Sequence, residues 1–387
     1  MYQYHCLNSI SDVGLNRFTE EYKQTEKQEE ADALLVRSAG MHDMEFSKRV
    51  KVIARAGAGV NNIPLERCAE EGIVVLNTPG ANANGVKELV LAGLFLGARD
   101  IVDGIQWVRE HKEEETLNTL AEKNKKKFAG QEIQGKKLGV IGLGAIGVLV
   151  ANAAIHLGMD VYGYDPYLSV DGAWKLSRNV HHAGKIEELY EACDYITIHV
   201  PATEATKGMI GRDDIYAMKD QVVILNFARD VIVDEGAMKE ALESGKVKHY
   251  ITDFPNAMIA GVEGTIVIPH LGASTEESEE NCARMAVMEV IDFLENGNIK
   301  NSVNYPDCDM GPYISGTRIT ILHRNVPNMI GQFTALLAEE NVNITNMTNK
   351  SRGGYAYTMI DTNTQISKEM IQKLNNIHEI LNVRILA

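Results

Sequence analysis

The apolar runs of the chain are short, contain few polar residues, and end where polar or glycine-containing segments begin. Buried parallel strands have such continuous apolar sequences, because helices cover both faces of a parallel sheet. We predict strands at the following runs: Ala33–Val36, Val50–Ala54, Ile73–Leu76, Leu138–Ile141, Met159–Tyr164, Tyr195–Val200, Val222–Asn226, Tyr250–Thr252 and Ile266–Ile268. Helical patterns separate them, which predicts an α/β protein with parallel, doubly wound, Rossmann-like sheets.

Two helical patterns indicate how the chain divides into lobes. Asn84–Glu110 contains no proline and is predicted to be one long connecting helix, followed by a charged surface excursion over 111–130. A second pattern runs from Ser274 to near Gly297, and we expect this helix to return to the N-terminal lobe. The predicted organisation is a discontinuous first lobe of 1–84 and 282–305 and a second lobe of 85–281.

The C-terminal part of the chain has a different order of elements. After a linker at 306–316, the segment 317–387 predicts strand, helix, strand, strand, helix and strand, which is the order of a ferredoxin-like α+β unit. The strands are predicted at Arg318–His323, Val342–Asn349, Tyr355–Asp361 and Ile380–Leu386, and the helices at Asn328–Glu340 and Ser367–Leu374.

A glycine turn follows the apolar run that begins at Leu138. Gly142, Gly144 and Gly147 have GxGxxG spacing, an Ala-rich helical pattern follows them, and the next apolar run ends at Asp165. This context is typical of a dinucleotide site, with the pyrophosphate at the helix N-terminus and the acid on the ribose hydroxyls. No arginine follows Asp165 to hold a 2′-phosphate, so NAD is the predicted cofactor. The alternative is a purely structural turn.

The composition argues against several classes of protein, including nucleic-acid-binding, membrane-spanning and zinc-binding proteins. The net charge is −15 and no basic stripe extends beyond 123–127, which argues against nucleic acid as a partner. No apolar run approaches the length of a membrane span, and the start lacks a basic region followed by an apolar core. The five scattered cysteines fit reduced thiols better than disulfides or zinc, so we expect a cytoplasmic protein without a metal.

Polar side chains follow several predicted strands, at the ends where open α/β sheets bind ligands. In the first lobe these residues are Arg37, Arg55, Thr78 and Asn82. Because the chain is acidic overall, an anionic substrate would need such local positive charge. The alternative for each arginine is a surface ion pair.

In the second lobe, Arg229, Asp253 and His270 hold the equivalent positions. Hydride transfer from an alcohol needs a base for the hydroxyl proton, which imidazole supplies near neutral pH. It also needs a cation for the substrate carboxylate, which the planar guanidinium of arginine supplies. The alternative for His270 is a structural role.

Five segments together resemble the D-isomer-specific 2-hydroxyacid dehydrogenases: LGVIGLGAIG, NFARDVIVDEGAM, IPHLGAST, RAGAGVNNI and NTPGANANGVKEL. The resemblance covers nearly the whole chain, and its C-terminal segment is similar to an ACT regulatory domain. It implies oxidation of 3-phospho-D-glycerate by NAD to 3-phosphohydroxypyruvate, the first step of L-serine biosynthesis. Alternatives are the oxidation of another D-2-hydroxy acid, such as glycerate, lactate or 2-hydroxyglutarate, and an NAD-sensing binding protein of the same fold.

The resemblance also implies roles for individual residues. His270 would be the acid/base and Arg229 the ligand of the substrate carboxylate. The cofactor would contact Ala145, Ile146, Asp165, Phe227, Ala228, Asp253 and Thr78, and the phosphate end of the substrate would contact Arg55, Arg37 and Asn82. Family members are dimers or tetramers, so a homodimer or homotetramer is expected.

One departure from the family pattern concerns the acid that orients the histidine. The family usually has a glutamate shortly after the aspartate that corresponds to Asp253, whereas this chain has Asn256, Ala257 and Met258 in that region. We expect either Asp253 or Glu263 to replace it.

In the ACT-like segment, HRNVPNMIGQF and NVNITNM resemble the parts of ACT domains that bind serine. His323, Asn325 and Asn343 lie on the matching positions, which implies inhibition by L-serine. The alternative is a structural dimerisation domain.

Overall fold

A computed structural model describes residues 1–386. The described chain forms two compact units, residues 1–82 with 276–386 and residues 83–275. The lobes predicted from the sequence are 1–84 with 282–305 and 85–281. The C-terminal segment, predicted as a separate domain, belongs to the same unit as the N-terminal lobe.

The N-terminal part of the first unit contains a five-stranded parallel sheet in the order β2-β1-β3-β4-β5. Its elements are β1 (Tyr2–Cys6), α1 (Asp12–Leu15), β2 (Tyr22–Gln24), β3 (Ala33–Val36), β4 (Val52–Arg55), α2 (Leu65–Glu70) and β5 (Val74–Leu76). The three predicted strands are confirmed, and β1 and β2 extend the sheet beyond them.

The second unit is built on a seven-stranded parallel sheet in the order β12-β11-β10-β9-β6-β7-β8. Its strands are β6 (Lys137–Ile141), β7 (Asp160–Tyr164), β8 (His181–His182), β9 (Tyr195–Ile198), β10 (Val222–Asn226), β11 (Val247–Thr252) and β12 (Thr265–Val267). Its helices are α3 (Ala83–Ala98), α4 (Ile101–Glu110), α5 (Leu117–Asn124), α6 (Ala145–His156), α7 (Val170–Lys175), α8 (Glu187–Ala192), α9 (Arg212–Ala217) and α10 (Glu235–Glu243). The predicted parallel α/β architecture is confirmed.

The prediction of one continuous helix over 84–110 is wrong, because α3 and α4 are separate helices. The carbonyl oxygen of Ala98 accepts a hydrogen bond from the backbone N–H of Gln131, at 2.8 Å, instead of one from a following helical turn. α3 packs closely on the sheet, since a Cβ on Gly97 would lie 2.7 Å from a methyl group of Val223. α4 has no buried residue. The chain therefore leaves the sheet between the two helices.

The predicted return helix is α11 (Glu276–Ile291), which a π-helical turn over Asp292–Asn296 extends to Gly297. Gly297 has a φ of 75°, the left-handed conformation in which glycine commonly ends helices. α11 lies in the first unit and packs on α1 so closely that a Cβ on Gly14 would lie 2.5 Å from the carbonyl carbon of Ala283.

The C-terminal segment has the predicted βαββαβ order. Its elements are β13 (Thr317–Arg324), α12 (Met329–Glu339), β14 (Ile344–Arg352), β15 (Tyr355–Thr362), α13 (Lys368–Asn375) and β16 (Ile380–Leu386), with an antiparallel sheet in the order β14-β15-β13-β16. One set of its apolar side chains packs on α12 and α13. Another set, Leu322, Tyr357 and Met359, shares a core with Tyr4 and Phe293 of the same unit.

Among residues 1–386, none of the helices combines the length and the apolar character that a membrane span requires. Within the same range, no cluster of three or more His, Cys, Asp or Glu side chains is arranged to hold a metal ion.

Candidate active site

Five of the predicted site residues follow strands of the seven-stranded sheet. Gly142 follows β6, Asp165 follows β7, Arg229 lies three residues after β10, Asp253 follows β11, and His270 lies three residues after β12. Because all neighbouring strands are parallel, their C-terminal ends lie at one edge of the sheet. This edge is where doubly wound sheets bind their ligands.

The three glycines of the turn after β6 have distinct surroundings. Gly142 has a φ of 90°, and a Cβ on it would lie 2.6 Å from the carbonyl oxygen of His199. A Cβ on Gly147 would lie 1.9 Å from the carbonyl oxygen of Gly142. A Cβ on Gly144, by contrast, would meet no atom within 4 Å. The turn thus requires glycine at its first and third positions and leaves an open surface at the second.

Helix α6 begins directly at this open surface. Gly144 is its N-cap, and Ala145 and Ile146 are its first residues, whose N–H groups have no intrahelical acceptor. Such N–H groups and the helix dipole favour a bound anion. The residues present therefore fit the pyrophosphate of a dinucleotide.

Asp165 is held by two backbone hydrogen bonds. Its Oδ2 accepts from the N–H of Leu143 and its Oδ1 from the N–H of Tyr167, both at 2.8 Å. The first of these bonds joins the carboxylate to the glycine turn. Asp165 is half-buried, so its carboxylate has a fixed position while part of it remains accessible to a ligand.

The turn that carries Arg229 is held by a residue that the sequence analysis did not single out. Asn226, fully buried at the end of β10, donates from Nδ2 to the carbonyl oxygen of Arg229 at 2.9 Å and accepts at Oδ1 from the N–H of Ala228 at 3.2 Å. Its Nδ2 also lies 3.3 Å from the hydroxyl of Tyr250. Phe227 is buried and Arg229 is exposed. The buried amide therefore presents an exposed guanidinium on an ordered turn.

Asp253 is buried close to both other members of the predicted catalytic group. Its Oδ2 accepts from the N–H of Gly272 at 2.9 Å, whereas its Oδ1 is buried without a hydrogen-bond partner. Burial raises the pKa of Asp253, while the bond from Gly272 and the positive charges of His270 and Arg229 act in the opposite direction. The carboxyl group is thus within electrostatic reach of both His270 and Arg229.

His270 is exposed and contacts an aromatic ring. Its imidazole meets the ring of Phe254 edge-on, with 4.9 Å between centroids and an interplanar angle of 70°. Phe254 directly follows Asp253, so the same segment provides the carboxylate and the ring that borders the histidine.

The structure does not bring Glu263 to His270. Glu263 is exposed and precedes β12, whereas His270 follows it, so the two residues lie at opposite ends of that strand. Asn256 stands in the region where the family usually has its glutamate. Its Nδ2 donates to the carboxylate of Glu235, and its Oδ1 accepts from the N–H groups of Met258 and Ile259. Asn256 therefore shapes its own loop.

His199 was not predicted as a site residue, although it follows β9 at the same edge. Its Nε2 lies 3.0 Å from Oγ1 of Thr197, and its Nδ1 is buried without a partner. Burial lowers the pKa of His199 to about 3, so the imidazole is neutral at physiological pH.

The predicted residues of the first unit lie at the C-terminal ends of β3, β4 and β5. Arg37 follows β3, Arg55 is the last residue of β4, and Thr78 and Asn82 come after β5. Arg55 donates from Nε to Oδ1 of Asn62 at 3.1 Å, and a Cβ on Gly57 would lie 2.5 Å from its Nη1. Arg37 forms an ion pair with Glu279. Thr78 is fully buried, and Asn82 is half-buried.

In the C-terminal sheet, the three residues predicted to bind serine are not adjacent. His323 is buried, with Nδ1 at 2.8 Å from the carbonyl oxygen of Arg324 and Nε2 at 2.9 Å from Oγ1 of Thr358. Asn325 donates from Nδ2 to the carbonyl oxygen of Gly353 at 3.2 Å. Asn343 is exposed next to Ile344, which pairs with Thr362, whereas His323 pairs with Ala356. Asn343 and His323 therefore lie at opposite ends of one sheet.

Comparison with known proteins agrees with this geometry. Residues 91–272 match the family model described as "D-isomer specific 2-hydroxyacid dehydrogenase, NAD binding domain". The segment 91–272 is thus similar to the NAD-binding domain of the D-isomer-specific 2-hydroxyacid dehydrogenase family. The matched segment contains the glycine turn, Arg229, Asp253 and His270, so the region that the geometry singles out lies within it.

Two similar proteins are both named D-3-phosphoglycerate dehydrogenase. The chain is 36% identical over 292 residues to D-3-phosphoglycerate dehydrogenase of Methanocaldococcus jannaschii, covering 73% of this chain and 53% of the relative. It is 29% identical over 339 residues to the enzyme of that name from Haemophilus influenzae, covering 85% and 79%. The chain thus spans about half the length of the archaeal relative.

A solved structure with the same fold is that of NAD⁺-bound 3-phosphoglycerate dehydrogenase from Entamoeba histolytica. It is 29% identical, covers 78% of this chain and 98% of its own, and superposes with a TM-score of 0.61. The predicted resemblance to phosphoglycerate dehydrogenases is confirmed, and so is the assignment of NAD as cofactor.

Proposed function

We propose that this chain oxidises 3-phospho-D-glycerate to 3-phosphohydroxypyruvate with NAD, the first step of L-serine biosynthesis. One observation carries the proposal. Arg229, Asp253 and His270 each follow one of three neighbouring parallel strands, and they lie at the sheet edge that also bears the glycine turn. The names of the relatives support the choice of substrate.

The residues of the chain have separate tasks in this reaction. The guanidinium of Arg229 binds the substrate carboxylate and fixes the orientation of the reacting carbon. The imidazole of His270 removes the hydroxyl proton and returns it in the reverse direction. NAD, when bound, accepts the hydride. Ala145 and Ile146 would hold its pyrophosphate, Asp165 would hold the ribose, and Phe227, Ala228 and Asp253 would border the nicotinamide.

Asp253 is the better candidate for orienting His270. It is buried and interacts electrostatically with His270, and its Oδ1 has no other partner. Glu263 lies at the far end of β12. We therefore infer that Asp253 is a positioning residue and takes the part that a glutamate usually has in the family.

The test is NADH formation from 3-phospho-D-glycerate, compared with D-glycerate, D-lactate and D-2-hydroxyglutarate. We expect the highest kcat/KM for the phosphorylated acid, and losses of about 100-fold or more in Arg229→Ala and His270→Ala. Arg178→Ala and His182→Ala, which change exposed residues of the same unit, serve as controls. A higher kcat/KM for an unphosphorylated acid would favour the alternative that the chain is a dehydrogenase of another D-2-hydroxy acid. NAD binding without turnover of any acid would favour an NAD-sensing protein.

Inhibition by L-serine is a second part of the proposal. Because His323 and Asn343 lie at opposite ends of one sheet, a single ligand could meet both only where two C-terminal sheets come together from two copies of the chain. Millimolar L-serine should lower the rate, D-serine should not, and Asn343→Ala should abolish the effect. An unchanged rate with L-serine would favour the alternative that the C-terminal segment is a structural dimerisation domain.

We expect a homodimer or homotetramer. Helix α4 supports this expectation, since it buries none of its residues and exposes the apolar side chains of Ile101, Val102, Ile105 and Val108. Sedimentation velocity on the purified chain tests it, with Ile105→Glu expected to weaken the association. We also expect a cytoplasmic location, because all five cysteines are free thiols.

A further inference from the structure

The ion pair between Arg37 and Glu279 lies among the residues that the family resemblance assigns to the phosphate end of the substrate. Arg37 follows β3, and Glu279 belongs to the first turn of α11 in the same unit. Nη2 of Arg37 lies 2.7 Å from Oε1 of Glu279, and the two side chains are 42% and 43% exposed. A carboxylate of the protein therefore occupies the guanidinium that the family resemblance assigns to the phosphate end of the substrate.

The buried thiol of Cys282 shows that these groups form one cluster. Cys282 lies one helical turn after Glu279 and is buried in one core with Leu35, Ala54 and Leu76 of β3, β4 and β5. Burial raises the pKa of Cys282, whereas Thr78 and the positive charges of Arg37 and Arg55 lower it. The ends of β3, β4 and β5 and the start of α11 thus meet around this thiol, and Glu279 shares the electrostatic environment of both arginines.

Glu279 is not what holds the loop of Arg37 in place. Oδ1 of Asn8 accepts hydrogen bonds from the backbone N–H groups of Arg37, Ser38 and Ala39, each at 3.0 Å. The backbone after β3 is therefore ordered by the half-buried amide of Asn8, which does not involve α11. Glu279 contacts the guanidinium of Arg37 and not the backbone of its loop. A substitution of Glu279 should therefore change the charge next to Arg37 without unfolding the loop.

A carboxylate and a phosphate compete for the same face of a guanidinium, because both bind its planar fork with two oxygens. A substrate anion that reaches Arg37 must displace Glu279 and then remain close to its negative charge. The penalty grows with the charge of the incoming group. It is largest for a doubly charged phosphate and small for a neutral hydroxymethyl or methyl group in the same position.

We propose that Glu279 is a specificity-determining residue, which competes for Arg37 and so weakens binding of a phosphorylated substrate relative to an unphosphorylated one. The inference rests on the proposed function and on the role at the phosphate end of the substrate that the family resemblance implies for Arg37 and Arg55. It predicts that Arg37 contributes little to phosphate binding while Glu279 is charged and contributes more once that charge is removed.

The test compares Glu279→Gln with Glu277→Gln, which removes the same charge from an exposed position in the same turn of α11. Glu279→Gln should lower KM for 3-phospho-D-glycerate about two- to fivefold, the range of an exposed ion pair, with kcat and the KM for D-glycerate unchanged. Glu277→Gln should have no such effect. Adding Arg37→Gln to Glu279→Gln should remove the gain, and high salt should reduce it.

Titration calorimetry with inorganic phosphate gives a readout that does not depend on turnover. Tighter phosphate binding in Glu279→Gln than in the parent and in Glu277→Gln supports the proposal. Equal phosphate affinities of the parent, Glu279→Gln and Glu277→Gln overturn the proposal. A higher KM for 3-phospho-D-glycerate in Glu279→Gln also overturns it, because Glu279 would then help to position Arg37. A parent that oxidises none of the acids refutes the proposed function, and the phosphate titration still decides the role of Glu279.

Discussion

Oδ2 of Asp253 accepts a hydrogen bond from the N–H of Gly272 over 2.9 Å, which ties the end of β11 to the loop that carries His270. The other carboxylate oxygen is buried without a partner. Leaving a buried acceptor unsatisfied is unfavourable by about 1–3 kcal/mol. The unsatisfied oxygen belongs to the carboxyl group that the proposed function assigns to the orientation of His270.

Replacing Asp253 by Asn should separate its charge from its structural bond. The amide oxygen of Asp253→Asn can still accept from Gly272, whereas the negative charge near His270 is lost. We expect kcat to fall about 100-fold with little change in Tm. Steady-state kinetics and thermal unfolding measure both quantities. Asp213→Asn, which removes an exposed carboxylate in the same unit, should leave both unchanged. A full kcat in Asp253→Asn would end the positioning role.

The buried amide of Asn226 should matter for substrate binding through the turn it holds. Asn226→Ala removes the bonds to the carbonyl oxygen of Arg229 and to the N–H of Ala228, so the guanidinium loses its fixed support. We expect KM to rise about tenfold, equivalent to 1.4 kcal/mol, together with a lower Tm. Initial rates at varied substrate concentration measure the first effect.

Tyr250→Phe is the matched control for Asn226→Ala. It removes only the hydroxyl that lies 3.3 Å from Nδ2 of Asn226 and leaves the turn intact. We expect a small loss of stability and an unchanged KM. If Tyr250→Phe raised KM as much as Asn226→Ala, general loosening of the core would explain both results.

The strand ends could be predicted from the sequence because their signal is local. A run such as Val222–Asn226 is apolar throughout, and polar residues follow it, so both the buried strand and its ligand-facing end are visible within a few residues. The glycine turn is equally local: a Cβ would clash at Gly142 and Gly147, and it would meet open space at Gly144.

The parts that sequence analysis missed depend on contacts between distant segments. The break between α3 and α4 is explained by Gln131, whose N–H takes the carbonyl oxygen of Ala98. The support of the Arg37 loop comes from Asn8, and the partner of its guanidinium comes from α11. A single asparagine or glutamate in a mixed stretch has no local pattern that reveals such a partner.

The carboxyl group of Glu289 should make the stability of the protein fall as pH rises. Glu289 is 8% exposed on α11, and burial raises its pKa from 4.5 to about 8. Between these values the folded state holds a proton that the unfolded chain releases, so the unfolding free energy decreases through this window and the loss is complete above it. Glu289→Gln should therefore have a higher Tm than the parent at pH above 8 and a similar Tm near pH 5.

The amide oxygen of Glu289→Gln can still accept the bond that Nδ2 of Asn301 donates to Oε1 at 2.6 Å, so the variant tests the charge and not the contact. Glu276→Gln, at an exposed position of the same helix, should not show this pH-dependent gain. Thermal unfolding at a series of pH values provides the measurement. A difference between Glu289→Gln and the parent that stays constant with pH would mean that Glu289 does not titrate in this range.

Two alanine substitutions in the glycine turn should separate folding from cofactor binding. Gly144→Ala places its methyl group where no protein atom lies within 4 Å, so the fold should keep its Tm while the dissociation constant for NADH rises about tenfold or more. In Gly147→Ala the methyl group would lie 1.9 Å from the carbonyl oxygen of Gly142, so helix α6 must move away from the turn, with a loss of about 1–3 kcal/mol. NADH fluorescence titration and thermal unfolding of both variants measure the two effects. Unimpaired NADH binding by a fully folded Gly144→Ala would contradict a pyrophosphate contact at this turn, because Gly144 is the N-cap of the helix whose first N–H groups are proposed to hold the phosphates.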